Sequence, residues 1–362
     1  MKDFCDLADF STEDVQRLLV QAKQLEKQQS TVALQGKVLA LLFLNPSLRT
    51  LTSLQATMTR LGGGTFVISP EMSIHGLETR SGIVMDGTAA EHIKEAVPVI
   101  ASYADAIGIR TIAPRDKLED DLEDVYFQQL RSLCDIPVVN LESSIRHPCQ
   151  SLADWKTLDD LAVPENGGRL VFSWVYHPEA LPLAIPGDTI HMAASRGMDV
   201  TVLCPEGFNL PPALLNRAQL AGAISGGSVK ETSNRNEALD GAHVLYAGSW
   251  SSTRFYGDHV NDQKLRNEHA DWCVDDSWFE NLAADPSYFM HALPVRRGVE
   301  VEDHTLDSPR SVVVRQAQNR MSEVRPSVRL PRCHPRYRPR VPKRRVDSGF
   351  PSTNRRVFPV DR

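Results

Sequence analysis

The sequence predicts an α/β protein made of two doubly wound parallel-sheet domains joined by interdomain helices. Short runs that are apolar almost throughout, such as "VLALLFL" (38–44) and "RLVFSWV" (169–175), alternate with segments of helical spacing. Strands apolar on both faces belong to parallel sheets covered by helices on each side. These runs form two series separated by one helical segment, and 362 residues are enough for two cores.

Ser11-x-x-Asp14 has the form of a capping box and opens a helix with Val15, Leu18, Leu19, Ala22 and Leu25 on one face. The first strand series is expected at 38–44, 64–70, 105–110 and 136–142. Pro148, a favoured first-turn residue, begins a helix carrying Leu152, Trp155 and Leu158. A second series is expected at 169–175, 199–205, 243–249, 272–276, 288–294 and 311–317. The domains then run 1–147 and 148–321, followed by a basic tail over 322–362.

Charge divides the chain unevenly. From Ser322 onward twelve Lys/Arg face three acidic residues, about +9, which leaves residues 1–321 near −15 of the total −6. So acidic a body argues against nucleic-acid binding, which needs clustered cations. The tail, with its seven prolines and no apolar periodicity, reads as a disordered extension. The N-terminus lacks the basic start and apolar stretch of a signal peptide, and no run reaches membrane-spanning length. Six scattered cysteines without a C-x-x-C pair fit free thiols in a cytoplasmic protein rather than disulfides or a zinc site.

In such a fold ligands bind beyond the carboxyl ends of strands, so polar residues just past strands are the candidates. Ser47, Leu48, Arg49 and Thr50 follow the first strand; a helix starting there offers free N–H groups and a planar guanidinium to an anion. Arg110 ends another strand, and His147 precedes the helix at Pro148, where a neutral imidazole can donate to a carbonyl oxygen. Glu142, His177 and "HALPVRR" (291–297) are further strand-end groups. No nucleophile–base pair or metal cluster stands out. "LGGGTF" (61–66) precedes a strand, so it marks a turn, and a dinucleotide-binding oxidoreductase lacks its Gly-rich signature here. Mostly cationic and neutral donors suit a small phosphorylated anion whose carbonyl is polarised, with catalysis by positioning and electrostatics.

Ser47-x-Arg49-Thr50, Arg110, His147-Pro148-x-Gln150, "HALPVRR" and "QAQNR" (316–320) together resemble the aspartate/ornithine carbamoyltransferase family over about residues 1–321. "LETRSGIVMDG", "EHIKEAVPVI", "RHPCQSLADW" and "HPEALPLAIP" are most similar to its branch acting on N-acetylornithine or N-succinylornithine in arginine biosynthesis. The resemblance implies a homotrimer with shared active sites, no cofactor, and direct carbamoyl transfer from carbamoyl phosphate to a δ-amine. It places Ser47, the Leu48 N–H, Arg49, Thr50 and Arg320 on the phosphate, and Thr50, Arg110 and His147 on the carbamoyl oxygen. Gln150 and the Leu293 carbonyl would orient the carbamoyl amide, and Glu142 and His177 would contact the acylated amino acid. Ala90 stands where members acting on acetylornithine carry an acidic residue, so succinylornithine is favoured, with acetylornithine or plain ornithine as alternatives.

The chain also departs from the pattern. Leu51 replaces a second arginine, His75 a tryptophan from the neighbouring subunit, Gly248 a lysine facing the substrate carboxylate, and Ala292 a cysteine. Arg254 is a candidate replacement cation for Gly248. These changes leave open a paralogue that binds carbamoyl phosphate without turning it over. Pro326 and Pro331 fall where the family's final helix should run, which predicts its loss.

Overall fold

The computed structural model describes residues 3–27, 32–69, 76–112, 114–280 and 286–328, with side chains to Arg320. His75, Cys333 and the tail beyond Val328 lie outside the described residues. The first lobe holds strands β1 (Val38–Phe43), β2 (Gly64–Ile68), β3 (Leu77–Glu78), β4 (Glu91–His92), β5 (Ala106–Arg110) and β6 (Val138–Glu142). Its helices are α1 (Thr12–Glu26), α2 (Leu48–Arg60), α3 (Ile93–Ser102), α4 (Leu118–Leu122) and α5 (Val125–Ser132). Helix α6 (Pro148–Asp160) leads into the second lobe: β7 (Arg169–Trp174), α7 (Ala184–Ser195), β8 (Asp199–Leu203), α8 (Pro212–Ser225), β9 (Ser228–Thr232) and α9 (Arg235–Leu239). It continues through β10 (Val244–Gly248), α10 (His259–Asn267), β11 (Tyr288–His291), α11 (Asp303–Asp307) and α12 (Val313–Val328).

Both main sheets are parallel. Their orders are β2-β1-β5-β6 and β11-β10-β7-β8-β9, with β3 and β4 a separate parallel pair. Register sets Phe43 beside Arg110 in the first sheet and Gly248 beside Trp174 in the second. The chain leaves β1 and β5 toward opposite edges, and does the same at β7 and β10. Each pair therefore opens a crevice at its carboxyl end, and the site residues issue from those strand tips. Leu39, Leu41 and Leu42 of β1 are buried on both faces, as the unbroken apolar run requires. Burial of each such side chain stabilises the fold by about 1.5–3 kcal/mol.

Two expected strands do not form. In 272–276 only Val274 pairs, in an isolated bridge to Val301. In 311–317 Ser311 bridges Phe289 and then α12 begins, because packing against α6, α1 and α2 outweighs the β-branched preference of three valines. The edge strand β9 has no counterpart among the expected strands: in "SVKET" only Val229 is buried, so no apolar run marks it.

The final helix is present, contrary to the expectation from its prolines. Helix α12 runs to Val328 with Pro326 near its end, where loss of one backbone donor interrupts little of the ladder. It is tied to α6 through Asn319, whose amide donates to Thr157 Oγ1 (2.8 Å) and whose carbonyl accepts from Lys156 Nζ (3.1 Å). No described helix is long and apolar enough to cross a membrane.

Candidate active site

A cavity of about 250 Å³ lies between the carboxyl ends of the two sheets. Ser47, Arg49, Arg110, Glu142, His147, Gln150, His177, Gly248, Ala292, Leu293 and Arg320 all border it, drawn from both lobes. One cavity thus unites candidates spread over more than 270 residues of sequence.

Ser47 caps α2, its hydroxyl accepting from the Thr50 N–H at 3.4 Å, so the first N–H groups of that helix and its positive dipole end face the cavity mouth. Arg49 Nη2 donates to the Leu293 carbonyl, linking the first lobe to the second. Arg110 pairs with Glu142. Glu142 itself holds φ 147°, a region side-chain-bearing residues rarely occupy, and such strain concentrates at functional sites.

Electrostatically the site is short of acceptors. Among the described residues, the only carboxylates bordering the cavity with Arg49, Arg110 and Arg320 are those of Glu142 and Glu300. Burial, and then the Arg110 charge, lower the Arg49 pKa; burial foremost does the same at Arg320. Arg49 Nε, Arg110 Nε, His147 Nδ1, His291 Nδ1 and Arg320 Nε are all buried without a hydrogen-bond partner among the described residues. Of these, the guanidinium N–H groups can only donate; left unpaired they are costly, and an oxygen-rich anion would satisfy them. Burial, with Arg320 and Arg110 nearby, holds His147 well below its ordinary range. The imidazole is therefore neutral, and its 3.6 Å approach to Glu142 is not an ion pair.

Three candidates do not border the cavity. The Leu48 side chain is exposed and only its backbone N–H is placed to serve. Thr50 lies beneath the wall: its hydroxyl accepts from Arg320 Nη2 (2.7 Å) and Ser47 Oγ (2.9 Å), so it holds Arg320 rather than facing the cavity. Ala90 is exposed, just before β4, outside the cavity of its own chain. Leu51 packs partly buried against the main core. Arg254 is exposed and stacks on Phe255, so it does not replace the missing lysine. Arg296 donates to His177 Nε2 at 2.9 Å. His177 Nδ1 meets both the Glu179 carbonyl (2.9 Å) and the Glu179 N–H (3.0 Å), and burial lowers the His177 pKa.

The sequence left open whether Glu300 meets substrate, and it did not bring out Asp154. Glu300, which borders the cavity, accepts from the Arg296 N–H (2.6 Å) and lies 3.3 Å from His291 Nε2. Behind the wall, Asp154 accepts from Gln150, Gln316 and Tyr246. Burial pushes its carboxyl up to about 6 against the pull of those bonds. Asp154 follows Gln150 by four positions in the helix expected from Pro148, a spacing that was available in the sequence. Glu300 depends on how the loop after β11 turns, which no local pattern encodes.

Two parallel sheets closing on a cationic, donor-rich cavity define a two-domain α/β enzyme that handles a small anion. Residues 2–160 match the aspartate/ornithine carbamoyltransferase carbamoyl-P binding domain, and 185–325 match the Asp/Orn binding domain of the same family. An N-acetylornithine carbamoyltransferase of Xanthomonas campestris is 34% identical over 324 residues, covering 89% of this chain and 95% of that protein. An N-succinylornithine carbamoyltransferase of Bacteroides thetaiotaomicron is 31% identical over 322 residues, covering 88% and 95%. The crystal structure of acetylornithine transcarbamylase complexed with acetylcitrulline superposes with a TM-score of 0.86 at 32% identity, covering 91% of this chain and 98% of that one. A glutamate mutant of N-acetyl-L-ornithine transcarbamylase, complexed with carbamyl phosphate and N-succinyl-L-norvaline, matches with the same TM-score, 0.86, at 32% identity, covering 91% and 99%. The chain belongs to the aspartate/ornithine carbamoyltransferase family and is a carbamoyltransferase by class.

Proposed function

We propose that this protein transfers the carbamoyl group of carbamoyl phosphate to the δ-amine of an N-acylated ornithine, N-succinylornithine in preference to N-acetylornithine. The products are N-acylcitrulline and phosphate. The observation that carries the reading is the set of buried guanidinium N–H groups on Arg49, Arg110 and Arg320 that find no partner among the described residues, gathered with neutral His147 around one cavity. The α2 N-terminus, Arg49 and Arg320 take the phosphate. Arg110 and neutral His147 donate to the carbamoyl oxygen, where negative charge grows as the amine adds to the carbon. The C–O bond to phosphate then breaks, and the departing phosphate can accept the amine proton. Cys149, the cysteine nearest this region in sequence, is buried and directs its thiol to the Asn140 carbonyl (3.5 Å), which fits direct transfer better than a covalent intermediate.

The succinyl preference rests on Ala90, which brings neither bulk nor negative charge. Support comes from the relative crystallised as a glutamate mutant with N-succinyl-L-norvaline. Ala90 lies outside its own chain's cavity, so it would act across a subunit boundary, in keeping with a trimer whose sites are shared. The experiment is a steady-state comparison of N-succinyl- and N-acetylornithine with carbamoyl phosphate, alongside light scattering for the trimer. The kcat/KM ratio should favour the succinyl substrate by roughly tenfold or more. Ala90→Glu should move it toward acetyl, and an equal response of both substrates excludes Ala90 as the selectivity position.

A second reading, a paralogue that binds carbamoyl phosphate without turnover, draws on Gly248 and Ala292, which border the cavity yet offer it no functional group. Binding without citrulline-product formation in the same assay would favour it.

A further inference from the structure

We propose that Asp154 is a positioning residue that locks the Gln150 side-chain amide with its carbonyl oxygen toward the cavity. The pocket then selects a carbamoyl phosphate over an acyl phosphate bearing a methyl group in place of –NH2. This rests on the carbamoyl-phosphate reading above and deepens it.

The hydrogen-bond chain fixes every amide in it. The His291 backbone N–H can only donate, and it donates to Gln316 Oε1 at 3.1 Å. Gln316 must therefore turn its Nε2 inward, where it donates to Asp154 Oδ1 at 2.8 Å and to Tyr246 Oη at 3.0 Å. Tyr246 in turn donates to Asp154 Oδ2 at 2.9 Å. Asp154 is fully buried, and an ionised carboxylate has only acceptors to offer. Gln150 can meet it only with Nε2, which lies 2.8 Å from Oδ1. The amide oxygen of Gln150 is then the end left for the cavity, which Leu293 also borders. Two acceptors suit the –NH2 of a carbamoyl group, whereas a methyl group would desolvate them without pairing them. Gln316 on α12, Tyr246 on β10 and Gln150 on α6 thus act on the pocket through one carboxylate that does not itself border it.

Acetyl phosphate tests this, because it keeps the phosphate and the carbonyl and exchanges only –NH2 for –CH3. Titration calorimetry on the full chain would compare carbamoyl phosphate, acetyl phosphate and inorganic phosphate. The wild type should bind carbamoyl phosphate roughly tenfold or more tighter than acetyl phosphate. In Asp154→Ala that ratio should fall to within about threefold of unity, while inorganic phosphate binds within about threefold of wild type. Asp154→Asn keeps a carbonyl acceptor for both glutamines and should retain most of the ratio, a rescue that a purely structural role would not give.

A folded Asp154→Ala with the wild-type ratio overturns the proposal, as does a wild type that binds both acyl phosphates equally. Should Asp154→Ala fail to fold, Asp154→Asn still decides: loss of the ratio there overturns the proposal. A wild type that binds none of the three phosphates would instead remove the underlying carbamoyl-phosphate reading, a separate result.

Discussion

Arg49, half-buried, and His147, fully buried, do opposite jobs at one cavity. Arg49 keeps its charge although burial and Arg110 both oppose it, and its cross-lobe bond to Leu293 satisfies one end of the guanidinium. Its remaining donors await an anion, and a charge-assisted bidentate contact is among the strongest available. Arg49→Ala should weaken carbamoyl-phosphate binding roughly 100-fold by calorimetry, with little change in thermal midpoint. His147 has lost its charge to the same environment. A neutral donor that meets the carbonyl oxygen most strongly in the transition state contributes to kcat rather than to binding. His147→Ala should lower kcat roughly 100-fold with KM within about threefold. Because His147 is already neutral, wild-type kcat should show no inflection near 6.5 from this group. An inflection there that vanishes in His147→Ala would contradict the assignment.

Helices α6 and α12 form the seam on which the site is mounted. Residues Pro148 to Leu158 of α6 are all buried, which no amphipathic surface helix would show. Its polar members each find partners. Lys156, almost fully buried, reaches Asp160 (2.6 Å), Glu26 (3.1 Å) and Asn319 (3.1 Å), joining α1, α6 and α12. Lys156→Met should destabilise the protein by about 2 kcal/mol in denaturant titration, less than a fully buried pair because Glu26 and Asp160 keep some contact with water. The strands with unbroken apolar runs, β1, β7 and β10, were legible in sequence, as were the Ser11 and Ser47 caps and the Pro148 start. Their signals are local. The stretch "SVVVRQA" was not legible, because a run of valines reads as strand until the surface it packs against is known. Strand β9 was hidden by its polar edge, and the proline-bearing end of α12 by a rule that weakens near a helix terminus. At the site, residues at strand tips were readable because the fold class says where ligands bind. Glu300 depends on how the loop after β11 folds back on His291, and the Asp154 network draws Gln316 and Tyr246 from distant elements, so neither was legible.

Over the whole molecule, the lobes meet at a second charged junction on residues outside the cavity. Asp6 of the N-terminal segment pairs with Arg146 (2.7 Å) and with Arg217 of α8, and Arg217 also pairs with Asp188 of α7 (3.2 Å). Asp188 in turn accepts the backbone N–H of His147 at 2.6 Å, so this junction bears directly on the site. His191, three residues after Asp188, is buried there, and burial, with the Arg217 charge adding to it, lowers its pKa to about 3. An unfolded chain protonates that histidine near 6.5, whereas the folded chain keeps it neutral. Below pH 6.5 the unfolded state therefore binds more protons, and stability falls as acid is added. Asp154 and Asp124, both pushed up to about 6 by burial, act with the opposite sign. The folded state takes up their protons before the unfolded state does, which offsets part of the loss below pH 6. His191→Gln isolates the histidine contribution. The unfolding free energy lost between pH 7 and pH 5 should shrink by roughly 2 kcal/mol relative to wild type, measured by urea titration at each pH. If the loss is unchanged, the acid sensitivity of the interdomain junction belongs to groups other than His191.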